Sequence, residues 1–362
     1  MPSATMSLNT SSSISPDDLI SLTCNEIQHL FLTITVGPLN DLAIDSAGPT
    51  GDAATKYDHA SAITRDTPQP RHEDHDLQLV YRNRSTAEKG ANSMQLLAGT
   101  LEHAGSPLHY WIGGRTNGPL VCCSHGASMD HHMFDQQLPA LVDAGYRVLV
   151  WDLPGHGRSK PIGDSFSIAS VAAALKALIH HLDHDRAVLL GQSFGGYVSQ
   201  ELYYSDPDLV TALVIVGATS LTYPMSSWNR LALRLSPAMF TLWPNRSRVR
   251  LVGQGTAVTQ TVQNYAQGAT NQLSKKEFAQ VWGALARGLR KEPDFRIHRP
   301  VLLTHGSDDQ VGVVAASATE WAAREPDCQY VVIPGAGHNA NQDNAEYFNQ
   351  VLLEFLAARL IG

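Results

Sequence analysis

The residues Gly191-Gln192-Ser193-Phe194-Gly195-Gly196 follow a short apolar run at 187–190 and open a helical pattern. A serine in G-x-S-x-G between a strand and a helix is the signature of a nucleophile elbow. The requirement is steric. The serine backbone is held in a sparsely populated conformation, so the positions two before and two after must be small. The turn exposes the hydroxyl at the strand's end, and the helix N-terminus behind it favours developing negative charge.

A serine hydroxyl is a weak nucleophile unless a base takes its proton. His338, in Gly335-Ala336-Gly337-His338-Asn339, lies between the last strand-like run and the last helical pattern. An orienting carboxylate is available after the strand expected at 301–304, where Asp308 and Asp309 stand side by side. Two backbone N–H groups are needed to hold an oxyanion. Phe194, next to the serine, supplies one. Ala127, in the loop Ser124-His125-Gly126-Ala127-Ser128, supplies the other. The His125 side chain is expected to bond its own loop, while Asp130, His131 and His132 are candidates for lining the crevice.

These residues need a frame. Strands are expected at 94–101, 108–112, 119–124, 146–151, 187–190, 210–216, 301–304 and 330–333. Helices are expected at 135–144, 168–182, 195–204 and 345–360, the last with Phe348, Val351, Leu352, Phe355, Leu356 and Leu360 near a period of 3.6. Alternating strands and helices indicate a mostly parallel sheet covered on both faces. Between 221 and 299 the alternation stops, and helical patterns with scattered aromatics take over. An insertion between two strands, on the side where the strands end, would lie over the crevice as a helical cap. Its aromatics are expected chiefly in its core.

Composition bounds the rest. Of 362 residues, 43% are apolar, enough for a sizeable core, and the net charge is −8, which disfavours nucleic-acid binding. Residues 1–93 carry −6 of that charge, are rich in Ser, Thr, Asp, Pro and His, and read as a disordered extension before a domain starting near Met94. Cys122 and Cys123 are adjacent in a strand and should point to opposite faces. With Cys24 and Cys328 they read as reduced thiols in a cytoplasmic protein. No apolar run approaches a membrane span. The histidine clusters lack H-E-x-x-H or paired C-x-x-C, so no metal and no cofactor is expected. The partner is a small-molecule substrate, and the oligomeric state is left open.

Four motifs in order resemble the α/β-hydrolase superfamily over about residues 94–362: His125-Gly126, Asp152 to Ser159, Gly191 to Gly196, and Gly306-Ser307-Asp308-Asp309 with Gly337-His338. The order serine, aspartate, histidine fits. The resemblance implies an eight-stranded sheet with antiparallel first strands, a core of 94–220 and 300–362, and a cap at 221–299. It favours Asp309, three residues after Gly306, over Asp308. It also makes Asp152 to Ser159 a surface turn whose His156 is not catalytic. Ser193 stands where epoxide hydrolases and haloalkane dehalogenases carry aspartate. A serine esterase or lactonase with a Ser193–His338–Asp309 triad is implied. A carbon–carbon bond hydrolase, or a small-molecule receptor on the same fold, is the alternative.

Overall fold

A computed structural model describes residues 96–163, 165–224, 227–242 and 244–360. The extension expected at 1–93, and Cys24 within it, lie outside the described residues. Eight strands form one sheet: β1 (Leu97–His103), β2 (Ser106–Gly114), β3 (Leu120–Ser124), β4 (Arg147–Trp151), β5 (Ala187–Gln192), β6 (Val210–Val216), β7 (Val301–Gly306) and β8 (Cys328–Ile333). Their spatial order is β1-β2-β4-β3-β5-β6-β7-β8. Strand β2 pairs antiparallel with both β1 and β4, and β3 to β8 run parallel.

The central strands β3, β5 and β7 are buried along their whole length, as apolar strands covered on both faces must be. Cys122 packs in the core on one side of the sheet and Cys123 in the core on the other, which is the alternation expected of neighbours in a strand. Flanking the sheet are α1 (Leu138–Asp143), α2 (Ile168–His181) and α3 (Phe194–Ser205). Ser167 caps α2 by exchanging side-chain and backbone bonds with Ser170, satisfying donors that the helix leaves open. The helix expected at 135–144 is shorter: α1 starts at Leu138, with Pro139 near its start, after a 3₁₀ turn at His131–Phe134.

Among the described residues, four helices are inserted between β6 and β7: α4 (Ser227–Leu242), α5 (Asn245–Thr256), α6 (Gln260–Asn271) and α7 (Lys275–Gly288). After β7 come α8 (Val314–Arg324), then β8, α9 (Ala340–Asp343) and α10 (Ala345–Leu360). No helix among the described residues is long and apolar enough to cross a membrane.

The register fixes where the chemistry gathers. Ser124 lies opposite Gly191, Gln192 opposite Val216, Val216 opposite Thr304, and Gly306 opposite Ile333. Five parallel strands therefore end at one level. The loops after them, carrying Ala127, Ser193, Gly217, Asp309 and His338, emerge along one edge, where open α/β sheets place ligands.

Candidate active site

Ser193 joins β5 to α3 with φ 48° and ψ −110°, in the left-handed half of backbone space. Such a conformation costs a non-glycine residue on the order of 1–3 kcal/mol and persists only when its surroundings enforce it. Here the Ser193 N–H donates to Val216 O at 2.8 Å, and the Gly196 N–H donates back to Ser193 O at 2.9 Å. The close packing explains the glycine two residues on: a Cβ at Gly195 would stand 1.9 Å from Ser124 O. Phe194 is the first residue of α3, so its N–H has no partner within the helix.

The loop after β3 reaches the same place. A Cβ on Gly126 would lie 3.4 Å from Ser193 Cβ, which sets Ala127 beside the elbow. Its histidine does not face the cavity. His125 is fully buried; its Nδ1 bonds Gly126 O at 2.8 Å, and its Nε2 accepts the Leu153 N–H at 3.0 Å. Burial holds this imidazole down to about 3, so it stays neutral. His156 returns the bond, accepting the Ser128 N–H on Nε2 at 3.2 Å while Nδ1 meets Pro154 O at 3.1 Å. Burial lowers its pKa as well. The two loops are thus stapled by a reciprocal pair of histidines.

This corrects the expectation of a surface turn at Asp152 to Ser159. Asp152, His156 and Ser159 are fully buried, because the staple draws the loop beneath its neighbour. Asp152 accepts from the His131 ring at 2.8 Å and from the His131 and Arg158 N–H groups at 2.9 and 2.8 Å. Burial raises this carboxyl, but the His131 bond and the other donors outweigh it and hold it at about 2. The His131 ring stacks on Trp111, centroids 3.6 Å apart. Asp130 receives the Tyr265 hydroxyl at 3.0 Å and the Gln272 amide at 3.3 Å. Asp130 and His131 are thereby committed to holding the loop and helix α6, and neither they nor His132 line the cavity.

Asp309 and His338 are brought together. His338 Nδ1 lies 3.0 and 3.2 Å from the two Asp309 oxygens, and both side chains are buried. Asp309 Oδ1 also accepts the Val311 N–H at 2.9 Å. Burial pushes the Asp309 carboxyl up, but the His338 charge and these hydrogen bonds win, and it sits below its ordinary value. Asp308 is exposed and accepts the Ser307 hydroxyl at 2.8 Å. Gly217 (φ 61°) lies against the imidazole: a Cβ there would be 3.0 Å from His338 Nδ1. The Gln192 amide donates to His338 O at 3.1 Å, tying the residue before the serine to the histidine loop.

Ser193 and His338 line a cavity of about 650 Å³ between the strand ends and the inserted helices. Leu233, Leu251, Phe278, Trp282, Leu285 and Leu289 make most of its far wall. Phe278 and Trp282 therefore serve as wall as well as insert packing. Tyr197 and Thr219 add a polar spot, their hydroxyls 2.7 Å apart. Among the described lining residues none is Lys or Arg, and Asp308 is the one carboxylate. Tyr197 and Thr219 belong to none of the sequence motifs. The signal for Tyr197 was its place four residues after the serine on a helix, hence one turn along the same face.

The alpha/beta hydrolase fold family matches residues 119–345. The chain is 29% identical to a 2-hydroxy-6-oxononadienedioate/2-hydroxy-6-oxononatrienedioate hydrolase of Pseudomonas putida, over 62% of this chain and 81% of that protein. Its fold is similar to that of a thermophilic esterase from Thermogutta terrifontis (TM-score 0.64, 23% identity, 73% of this chain and 98% of that one). It is also similar to the enol-lactonase of Burkholderia xenovorans (TM-score 0.63, 22% identity, 72% and 100%). With the sheet order, the elbow between β5 and α3 and the inserted helices agreeing, the chain belongs to the α/β-hydrolase family.

Proposed function

We propose that the protein is a serine hydrolase of small, uncharged, mostly apolar esters or lactones, acting through an acyl-enzyme. The observation that carries this reading is a strained serine sharing an apolar cavity with an imidazole whose Nδ1 is bonded to a buried carboxylate. Asp309 accepts a hydrogen bond from the Nδ1–H and so leaves Nε2 as the nitrogen that can take the Ser193 proton. The alkoxide attacks the carbonyl carbon. The resulting oxyanion is held by the Ala127 and Phe194 N–H groups, a donor of this kind being worth about 3–4 kcal/mol of barrier. The imidazolium then gives its proton to the leaving alcohol, and a water activated by the same imidazole releases the acid.

The substrate class follows from the walls. The Pseudomonas relative is named for dienedioates, which carry two carboxylates. The described lining residues here offer no cation to receive one, and Asp308 would repel it. An uncharged acyl group suits the apolar wall, which favours an ester or lactone over the diacid substrates. The inserted helices act as the cap that encloses it.

Ser193→Ala is expected to lower hydrolysis of a p-nitrophenyl ester by on the order of 10⁵-fold, with the fold intact. A fluorophosphonate should label the wild type on the peptide containing Ser193. Turnover within tenfold of wild type in the variant would reject the assignment. Tight ligand-induced rises in melting temperature without turnover would favour a receptor instead.

A further inference from the structure

Asp343 stands five residues after His338, in the short helix α9, yet its carboxylate bonds outside that helix. Oδ2 accepts the Gly337 N–H and the Val258 N–H, each at 2.9 Å. Oδ1 accepts the Thr259 N–H at 2.9 Å and the Thr259 hydroxyl at 2.8 Å. Gly337 belongs to the loop that carries the base. Val258 and Thr259 belong to the junction between α5 and α6 of the inserted helices. One carboxylate thus holds four donors from two stretches of chain about 80 residues apart, and bonds to a charged acceptor are about twice as strong as neutral ones.

Around it the two stretches touch directly. The Asn339 N–H donates to Thr256 O at 2.7 Å, and a Cβ on Gly337 would lie 3.2 Å from Ala257 Cα. Thr256, Ala257 and Val258 line the cavity together with Gly337 and His338. Moving this junction would therefore move the cavity wall and the base together.

We propose that Asp343 is a positioning residue that locks the His338 loop to the α5–α6 junction, so that the segment shaping the cavity also sets the base. This rests on the reading of Ser193 and His338 given above. Alanine at 343 leaves the four donors to water, which the half-buried site allows, but removes the lock.

The test compares Asp343→Ala, Asp343→Asn and Thr259→Val with wild type. It measures kcat and KM for p-nitrophenyl acetate and the rate at which a small fluorophosphonate labels Ser193. Both depend on the imidazole, whereas a loss of global stability moves neither while the protein is folded. Asp343→Ala should lower kcat and the labelling rate by about 10–100-fold, the scale of a small misplacement of a reacting group, with KM little changed. Asp343→Asn, which keeps one acceptor oxygen, should regain part of the loss. Thr259→Val should lose less, and adding it to Asp343→Ala should cost nothing further.

Wild-type kcat and labelling in folded Asp343→Ala, or a raised KM with unchanged kcat, would overturn the proposal. If that variant does not fold, wild-type rates in both Asp343→Asn and Thr259→Val would overturn it. Failure of the wild-type protein itself to be labelled at Ser193 removes the underlying reading and this one with it.

Discussion

Two aspartate–histidine pairs flank the serine turn, one on each side. Asp152 and His131 join the loops after β4 and β3 at 2.8 Å; Asp309 and His338 join the loops after β7 and β8 at 3.0 Å. In both pairs the aspartate is buried, is bonded through an imidazole Nδ1, and sits below its ordinary pKa. Yet one ring is stacked on Trp111 and the other borders the cavity with Ser193. A carboxylate on an imidazole orients the ring; what the ring's other nitrogen faces decides whether that orientation serves packing or proton transfer.

The sharpest way to break this contrast is to remove each ring. His338→Ala should lower ester turnover by on the order of 10⁵–10⁶-fold, as loss of a catalytic base does. His131→Ala should leave turnover within about tenfold but lower stability by about 1–3 kcal/mol, since Asp152 loses one of its buried hydrogen bonds. Steady-state kinetics with urea denaturation separates the two, and equal kinetic losses would dissolve the distinction.

Smaller in effect is the choice between neighbouring carboxylates. Asp309→Asn should cost on the order of 10⁴-fold in kcat, because an amide no longer holds the imidazole in the required tautomer. Asp308→Asn, an exposed position, should change kcat by no more than about threefold. If instead the second variant is the crippled one, the acid belongs to Asp308.

Smallest is a pH effect confined to the first side. In the folded chain His125 stays neutral down to about 3, while in the unfolded chain it takes a proton near its ordinary 6.5. The unfolded state therefore binds more protons in that window, and stability must fall as pH is lowered through it, by about 1.4 kcal/mol per pH unit. The loss from Asp152 begins lower, between its ordinary 3.8 and about 2. Urea midpoints at pH 7 and pH 5 should differ in wild type and differ less in His125→Gln, where buried His156 still contributes. An unchanged wild-type midpoint would contradict the neutral staple.

Local chemistry made much of this readable. Strand β6 at Val210–Val216 and helix α10 at Ala345–Leu360 coincide with the residues expected of them, because one is a bounded apolar run and the other a long periodic face. The elbow was readable because its steric demand is written in adjacent glycines. Asp309 lies on the histidine because the backbone turns at Gly306; that preference came from resemblance rather than from spacing alone. Helix α8 has no expectation behind it, since its buried face, Val314, Ser317, Ala318 and Trp321, holds only two large apolar side chains. The burial of Asp152 and His156, the partner of His131 and the reach of Asp343 depend on contacts between loops far apart in the chain, and no local pattern encodes those.

The adjacency of Cys122 and Cys123 has one more use. Each thiol is buried in a different layer, and burial pushes both well above the ordinary thiol value, so neither should react with an alkylating reagent until its own side of the sheet opens. Pulsed alkylation read by fragment mass spectrometry would then act as a pair of clocks one peptide bond apart, timing the exposure of the two layers separately within a single molecule.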